Sequence, residues 1–140
     1  IKTELNWDEW RNVLRTVNAS NQGNFDRLEF EFSGSFLPVS KVGYVDPPFR
    51  LGETDETIEI NGGAFLGIAL MPAFAHEIRS GQETVKDREE AAGLAAVKEI
   101  RRIYDHEGQV VYVLGLAEVQ RFRVLTLSNP SRLVVDVNNH

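Results

Sequence analysis

An all-β, mainly antiparallel sandwich is the fold class this sequence predicts, and three observations predict it. Between Phe25 and Phe32, Leu28, Phe30 and Phe32 alternate with Arg27, Glu29 and Glu31, the period of two that marks a half-buried strand. A second stretch, Ser131 to Val137, places Leu133, Val135 and Val137 on one face, directly after the turn residues Ser128-Asn129-Pro130. The remaining apolar runs are short and separated by turn residues, giving about nine strands in all, a spacing typical of sandwiches and barrels.

Near the N-terminus, Trp7, Trp10, Leu14 and Val17 fall at helical spacings, whereas Val13, Arg15, Val17 and Ala19 suit a strand; the strand is preferred from about Asn12 to Ala19. Val42 to Asp46 forms the next strand after Phe25–Phe32 and is stopped by Pro47-Pro48. Thr57 to Ile60 is expected to join Phe65 to Met71 in a hairpin through Asn61-Gly62-Gly63, residues that tolerate positive φ. Gln82 to Ala96 is rich in helix formers, broken only by Gly93, and is expected to be a surface insertion carrying one short helix or a loop. Val97 to Tyr104 should pair with Val110 to Leu116 through Asp105-His106-Glu107-Gly108, and Phe122 to Leu127 precedes the last strand. Asp26–Phe32 and Ser131–Val137 echo one another, each with Arg, then Leu, then apolar residues at every second place. Either a pseudo-symmetric pair of sheets or the common grammar of amphipathic strands gives that echo.

The 140 residues, 42% hydrophobic and 26% charged, suit one folded domain rather than a disordered chain. A net charge of −6 opposes both nucleic acid and anionic lipid as partners, and the absence of Cys excludes thiolate chemistry and Cys-ligated zinc. The longest apolar run, Ala64 to Ala75, contains Pro72 and falls short of the ~20 residues that cross a bilayer, so no transmembrane span is expected. Opening on Ile1 rather than Met is expected of a processed or partial chain, with any signal peptide out of view.

Reactive constellations are missing. His76-Glu77 begins like a zinc-protease helix, but Ser80 stands where the second imidazole is needed. Asp105-His106-Glu107 reads as a solvated hairpin tip, because neighbours on a strand face opposite ways. No Gly-x-Ser-x-Gly elbow occurs, and Gly62-Gly63 lacks the lysine of a phosphate loop. Glu29 and Glu31 share a strand face with Arg27, which suits charge balance better than a glycosidase pair. No catalytic residue, metal or cofactor is therefore expected. For binding, Tyr44, Asp46, Phe49 and Arg50 surround the diproline, where an aromatic-flanked turn could stack a sugar or peptide; equally, the prolines could simply guard a sheet edge. Arg27 and Arg132, matched in the echo, are expected to pair with carboxylates on neighbouring strands and to serve the fold.

Phe122 to Val137, ending in Ser128-Asn129-Pro130-Ser131-Arg132-Leu133-Val134-Val135-Asp136-Val137, resembles the closing signature of AMIN and AMIN-like domains. Phe25-Asp26-Arg27-Leu28 with Glu31-Phe32, Tyr44-Val45-Asp46, Pro72-Ala73-Phe74-Ala75-His76, and Glu107-Gly108 followed by Val113-Leu114-Gly115-Leu116 resemble further blocks of the AMIN-like form. Ser80 to Ala96 matches none of them. The resemblance implies one domain over residues 1–140 with 1–11 as an N-terminal extension, in an exported bacterial protein or lipoprotein: extracytoplasmic, non-catalytic, and associated with peptidoglycan or an envelope protein. It also makes His76 a candidate contact. The alternative is a structural or interaction domain that docks on a secreted or membrane partner through a sheet edge.

Overall fold

The computed structural model describes residues 12–91 and 93–140, so Trp7 and Trp10 and the proposed extension 1–11 lie outside the described residues. Among the described residues eleven strands form, β1 (Leu14–Asn21), β2 (Phe25–Phe32), β3 (Val39–Val45), β4 (Phe49–Arg50), β5 (Thr57–Ile58), β6 (Ala64–Met71), β7 (Arg88–Glu90), β8 (Val97–His106), β9 (Gln109–Leu116), β10 (Phe122–Leu127) and β11 (Arg132–Asn138). They assemble into a four-stranded sheet ordered β1-β2-β11-β10, a five-stranded sheet ordered β3-β6-β9-β8-β7, and a small β4-β5 ribbon, antiparallel throughout.

The alternation seen in the sequence decides which faces meet. Leu28, Phe30 and Phe32 from β2 and Leu133, Val135 and Val137 from β11 turn inward onto Leu66, Ile68 and Leu70 of β6 and Tyr112, Leu114 and Leu116 of β9, all buried in one cluster. The Phe30 and Tyr112 rings meet edge to face across the interlayer at 5.2 Å. Each such side chain contributes roughly 1.5–3 kcal/mol by leaving water, so the facing layers are what hold the sandwich.

Two readings left open by the sequence, the 82–96 segment and the echo, are decided here, and one expectation, the 57–71 hairpin, needs correction. No helix is present among the described residues; the 82–96 segment is instead a loop carrying the short edge strand β7. Helix propensity loses there to cross-strand contacts: Arg102, nearly buried, donates to the carbonyls of Val85 and Lys86 at 3.2 Å and to Glu83 at 2.8 Å, and Arg88 reaches the buried Glu99 at 3.3 Å. The 57–71 hairpin does not form either. β5 pairs with β4, while β6 lies between β3 and β9. Asn61-Gly62-Gly63 is a close crossing over β9 rather than a hairpin turn, since a Cβ on Gly115 would sit 1.8 Å from the Asn61 carbonyl oxygen. Finally, the two echo segments are not one per sheet. β2 and β11 are adjacent, antiparallel partners at the centre of the same sheet. The β8–β9 hairpin is as expected, with Glu107 and Gly108 both at positive φ, as a two-residue turn between twisted strands requires.

Candidate functional site

On the outer face of the four-stranded sheet, register brings together residues far apart in the chain. Asp136 of β11 stands opposite Arg27 of β2 on one side and Arg123 of β10 on the other, so the three share one row and one face. Arg27 grips the carboxylate with two bonds, Nε to Oδ1 at 2.9 Å and Nη2 to Oδ2 at 3.0 Å, and Arg123 Nε adds a third to Oδ2 at 2.9 Å. In the next row Phe25 stands opposite Asn138, and the two guanidinium carbons lie 5.5 Å (Arg27) and 5.2 Å (Arg123) from the Phe25 ring centre.

Beneath Phe25, its neighbour Asp26 points inward and is fully buried. Its carboxylate accepts hydrogen bonds from the backbone N–H groups of Ala96 and Val97 at 2.8 and 3.1 Å and from the Asn139 amide at 2.9 Å. One dipeptide thus faces both ways: Asp26 ties this end of the sheet to the start of β8, and that anchorage fixes Phe25 at the surface.

Around Phe25 a shallow groove of about 310 Å³ opens, its walls including Asn24, Arg121, Arg123, Asp136 and Asn138. Burial pushes the Asp136 carboxyl up, but the hydrogen bonds and charges of Arg27 and Arg123 outweigh it and hold the group below the usual carboxylate range. The same hydrogen bond raises Arg27 further above its ordinary value. An acid so committed is a poor proton acceptor. What the groove offers is an aromatic ring, guanidinium groups and side-chain amides, with Arg27 and Arg123 on the Asp136 carboxylate and Arg121 in the wall, in a chain of net charge −6.

The residues singled out from sequence do not converge. Tyr44 lies on β3, its hydroxyl bridging the backbone N–H and carbonyl of Gln120, its ring edge-on to Phe122 at 5.9 Å. Phe49 is buried against Phe65, Ile60 and Val113 beneath the β4-β5 ribbon and cannot stack on a ligand there, while Arg50 is exposed and pairs with Asp55 at 3.3 Å. Asp46 is exposed just past β3. His76 is bound through Nδ1 to Asp105 at 2.6 Å, with the Phe74 ring edge-on at 5.7 Å. Asp105 pairs with Val110 and Tyr44 with Leu66 and thence Leu114, so His76 and Tyr44 sit four residues, about 14 Å, apart along β9. Arg27 and Arg132 both pair across strands, Arg132 with Glu29 at 3.4 Å. His106 is half exposed at the hairpin tip, on the opposite side of its strand from Asp105.

Phe25, Arg121, Arg123, Asp136 and Asn138 were missed as a site. The echo held the signal: pairing its two segments antiparallel sets Arg27 beside Asp136 and Phe25 beside Asn138.

The profile of one protein family, the AMIN-like domain, matches residues 12–139. The chain belongs to the AMIN-like domain family. That membership agrees with the all-β sandwich and marks this AMIN-like domain as a bacterial cell-envelope module. Neither among curated proteins nor among solved structures does a significant match occur. Among the described residues of the AMIN-like domain, no helix is long and apolar enough to cross a membrane, and no three His, Asp or Glu side chains gather as metal ligands would.

Proposed function

We propose that this AMIN-like domain is a non-catalytic binding module acting as one unit outside the cytoplasm, secreted, periplasmic or lipid-anchored, and that its ligand is peptidoglycan. The observation that supports the reading is the Phe25 ring, with Arg27 and Arg123 close to it, in the lining of an open groove. Peptidoglycan joins uncharged pyranose rings to short peptides bearing carboxylates. An aromatic face suits the former, guanidiniums suit the latter, and Asn24 and Asn138 supply amide hydrogen bonds at the rim. The overall negative charge is no obstacle, because the groove itself is locally cationic.

Sedimentation with purified sacculi at low salt tests this. The wild-type chain is expected in the pellet, with binding about tenfold weaker in Phe25→Ala, the loss expected for one aromatic contact of roughly 1.4 kcal/mol. Arg123→Ala should weaken binding and flatten its salt dependence. A wild-type protein that stays in the supernatant, or a Phe25→Ala variant that binds as well as wild type while keeping its fold, overturns the reading.

A further inference from the structure

Two neighbouring rows cross the outer face of the four-stranded sheet at its Phe25 end, and they differ in the residue at their centre. In one, Asp136 sits between Arg27 and Arg123 and accepts three hydrogen bonds from them. In the other, Asn138 sits between Phe25 and Arg121. Phe25 is its partner on β2, and its backbone N–H donates to the Arg121 carbonyl at 2.9 Å, which carries the β10–β11 ladder one residue past the Phe122–Val137 pair. Two residues apart on one strand, Asp136 and Asn138 share a face at a spacing of about 7 Å. The β10-side arginine thus meets an acid in the first row and an amide in the second.

The consequence is a guanidinium that nothing neutralises. Arg121 is exposed and has no ion-pair or side-chain hydrogen-bond partner among the described residues, although the chain holds 21 acids. Asn138 directs its amide N–H to the His140 carbonyl at 3.4 Å rather than across to Arg121. Arg123 commits only Nε to Asp136, so both of its Nη groups are left to donate. Asp136 is the only acid in the groove lining, and both of its oxygens are taken. Two arginines therefore present unused N–H donors beside an aromatic ring, with no acceptor of matching charge in the lining.

We propose that the groove selects wall peptides whose carboxyl groups are free over those whose carboxyl groups are amidated, and that Arg121 makes the selection. This rests on the wall-binding reading and names the ligand group on which recognition turns. A ligand carboxylate seated over Asn138 takes donors from Arg121 and from the unused Nη groups of Arg123, repeating the contact that Asp136 makes in the neighbouring row, with the Phe25 ring beside it. An amide in that seat carries no charge and turns an –NH2 toward groups that themselves only donate, so the charge-assisted bonds are lost. Overall charge predicts the opposite sign. A chain at −6 is repelled by free wall carboxylates, and amidation acting through net charge alone would strengthen binding.

Sedimentation is run with sacculi whose carboxyl groups are free and with a portion of the same sacculi amidated by carbodiimide and ammonium. The wild-type chain is expected to bind the free-carboxyl preparation about tenfold more tightly, with the preference shrinking as salt rises. Arg121→Gln, at an exposed position without a partner, should keep its Tm, lose about tenfold on free-carboxyl sacculi and lose nothing on amidated ones. Asn138→Asp puts a carboxylate in the proposed seat and should have the same effect with an unchanged circular dichroism spectrum. Phe25→Ala should weaken binding to both preparations alike. Equal binding of the wild type to both, tighter binding to the amidated one, or an Arg121→Gln loss of equal size on both overturns the proposal and leaves wall binding standing. So does loss of binding after acid extraction of phosphate-bearing polymers with the carboxyl groups intact, which would assign the seat to a phosphate. A wild-type chain that stays in the supernatant with both preparations overturns the wall-binding reading and this proposal with it.

Discussion

Replacing Asp136 with Asn removes a charge while keeping its shape, so no cavity term complicates the outcome. The Asp136 side chain is 2% exposed and accepts three guanidinium hydrogen bonds, two from Arg27, whose side chain is 24% exposed, and one from Arg123, at 58%. Charge-assisted, bidentate and mostly shielded, the Arg27 pair contributes about 2 kcal/mol. Solvent screens the Arg123 bond to about 0.5 kcal/mol. Asp136→Asn should therefore cost about 2.5 kcal/mol, which for a domain of this size lowers Tm by about 10 °C. Thermal unfolding followed by circular dichroism at pH 7 reads this directly, with Arg123→Ala expected to lower Tm by only about 2 °C. The pH dependence carries a sign. Because the folded Asp136 carboxyl is held below its unfolded value, its contribution is present in full above that value, about 3.9, and is lost as pH falls through the lower folded one. The gap between wild type and Asp136→Asn should close over that interval. An Asp136→Asn protein within 2 °C of wild type at pH 7, or a gap that persists into strong acid, would refute the assignment of this carboxylate as the hub of its row.

Two further substitutions probe the framework that places the groove. Gly115→Ala puts a methyl carbon 1.8 Å from the Asn61 carbonyl oxygen and 2.9 Å from its carbon, so the 61–63 crossing must move; a loss of about 3 kcal/mol is expected in urea unfolding, and an unchanged midpoint contradicts the close crossing. Asp26→Ala strands the buried N–H groups of Ala96 and Val97, costing about 3 kcal/mol and speeding exchange of those two amides; if their exchange rates hold, Asp26 is not what anchors β8.

Much of the fold was legible because period two is a local property. Phe25–Phe32 and Ser131–Val137 declared their inner faces in the order of their residues, and the Glu107-Gly108 turn declared the hairpin around it. The 82–96 segment was not legible, because its helix formers are overruled by Arg102, Arg88 and Glu99, contacts that exist only once β8 has been laid beside them. Asn61-Gly62-Gly63 misled for a related reason. Glycine is needed both where a chain turns and where two backbones nearly touch, and residues alone do not distinguish these uses.

The candidate site divides in the same way. Sequence by itself determined the sandwich, the one-sided strands, the family, and the pairing habit of Arg27 and Arg132. Only the tertiary structure decided that Arg27, Asp136 and Arg123 form a single row beside Phe25, that Phe49 turns inward, and that His76 belongs to Asp105 at a distance from Tyr44. Alternation tells a residue which face to take, but which strangers share that face depends on strand order and register. Those are set by how two sheets bury their apolar sides against each other, a property of the whole chain at once.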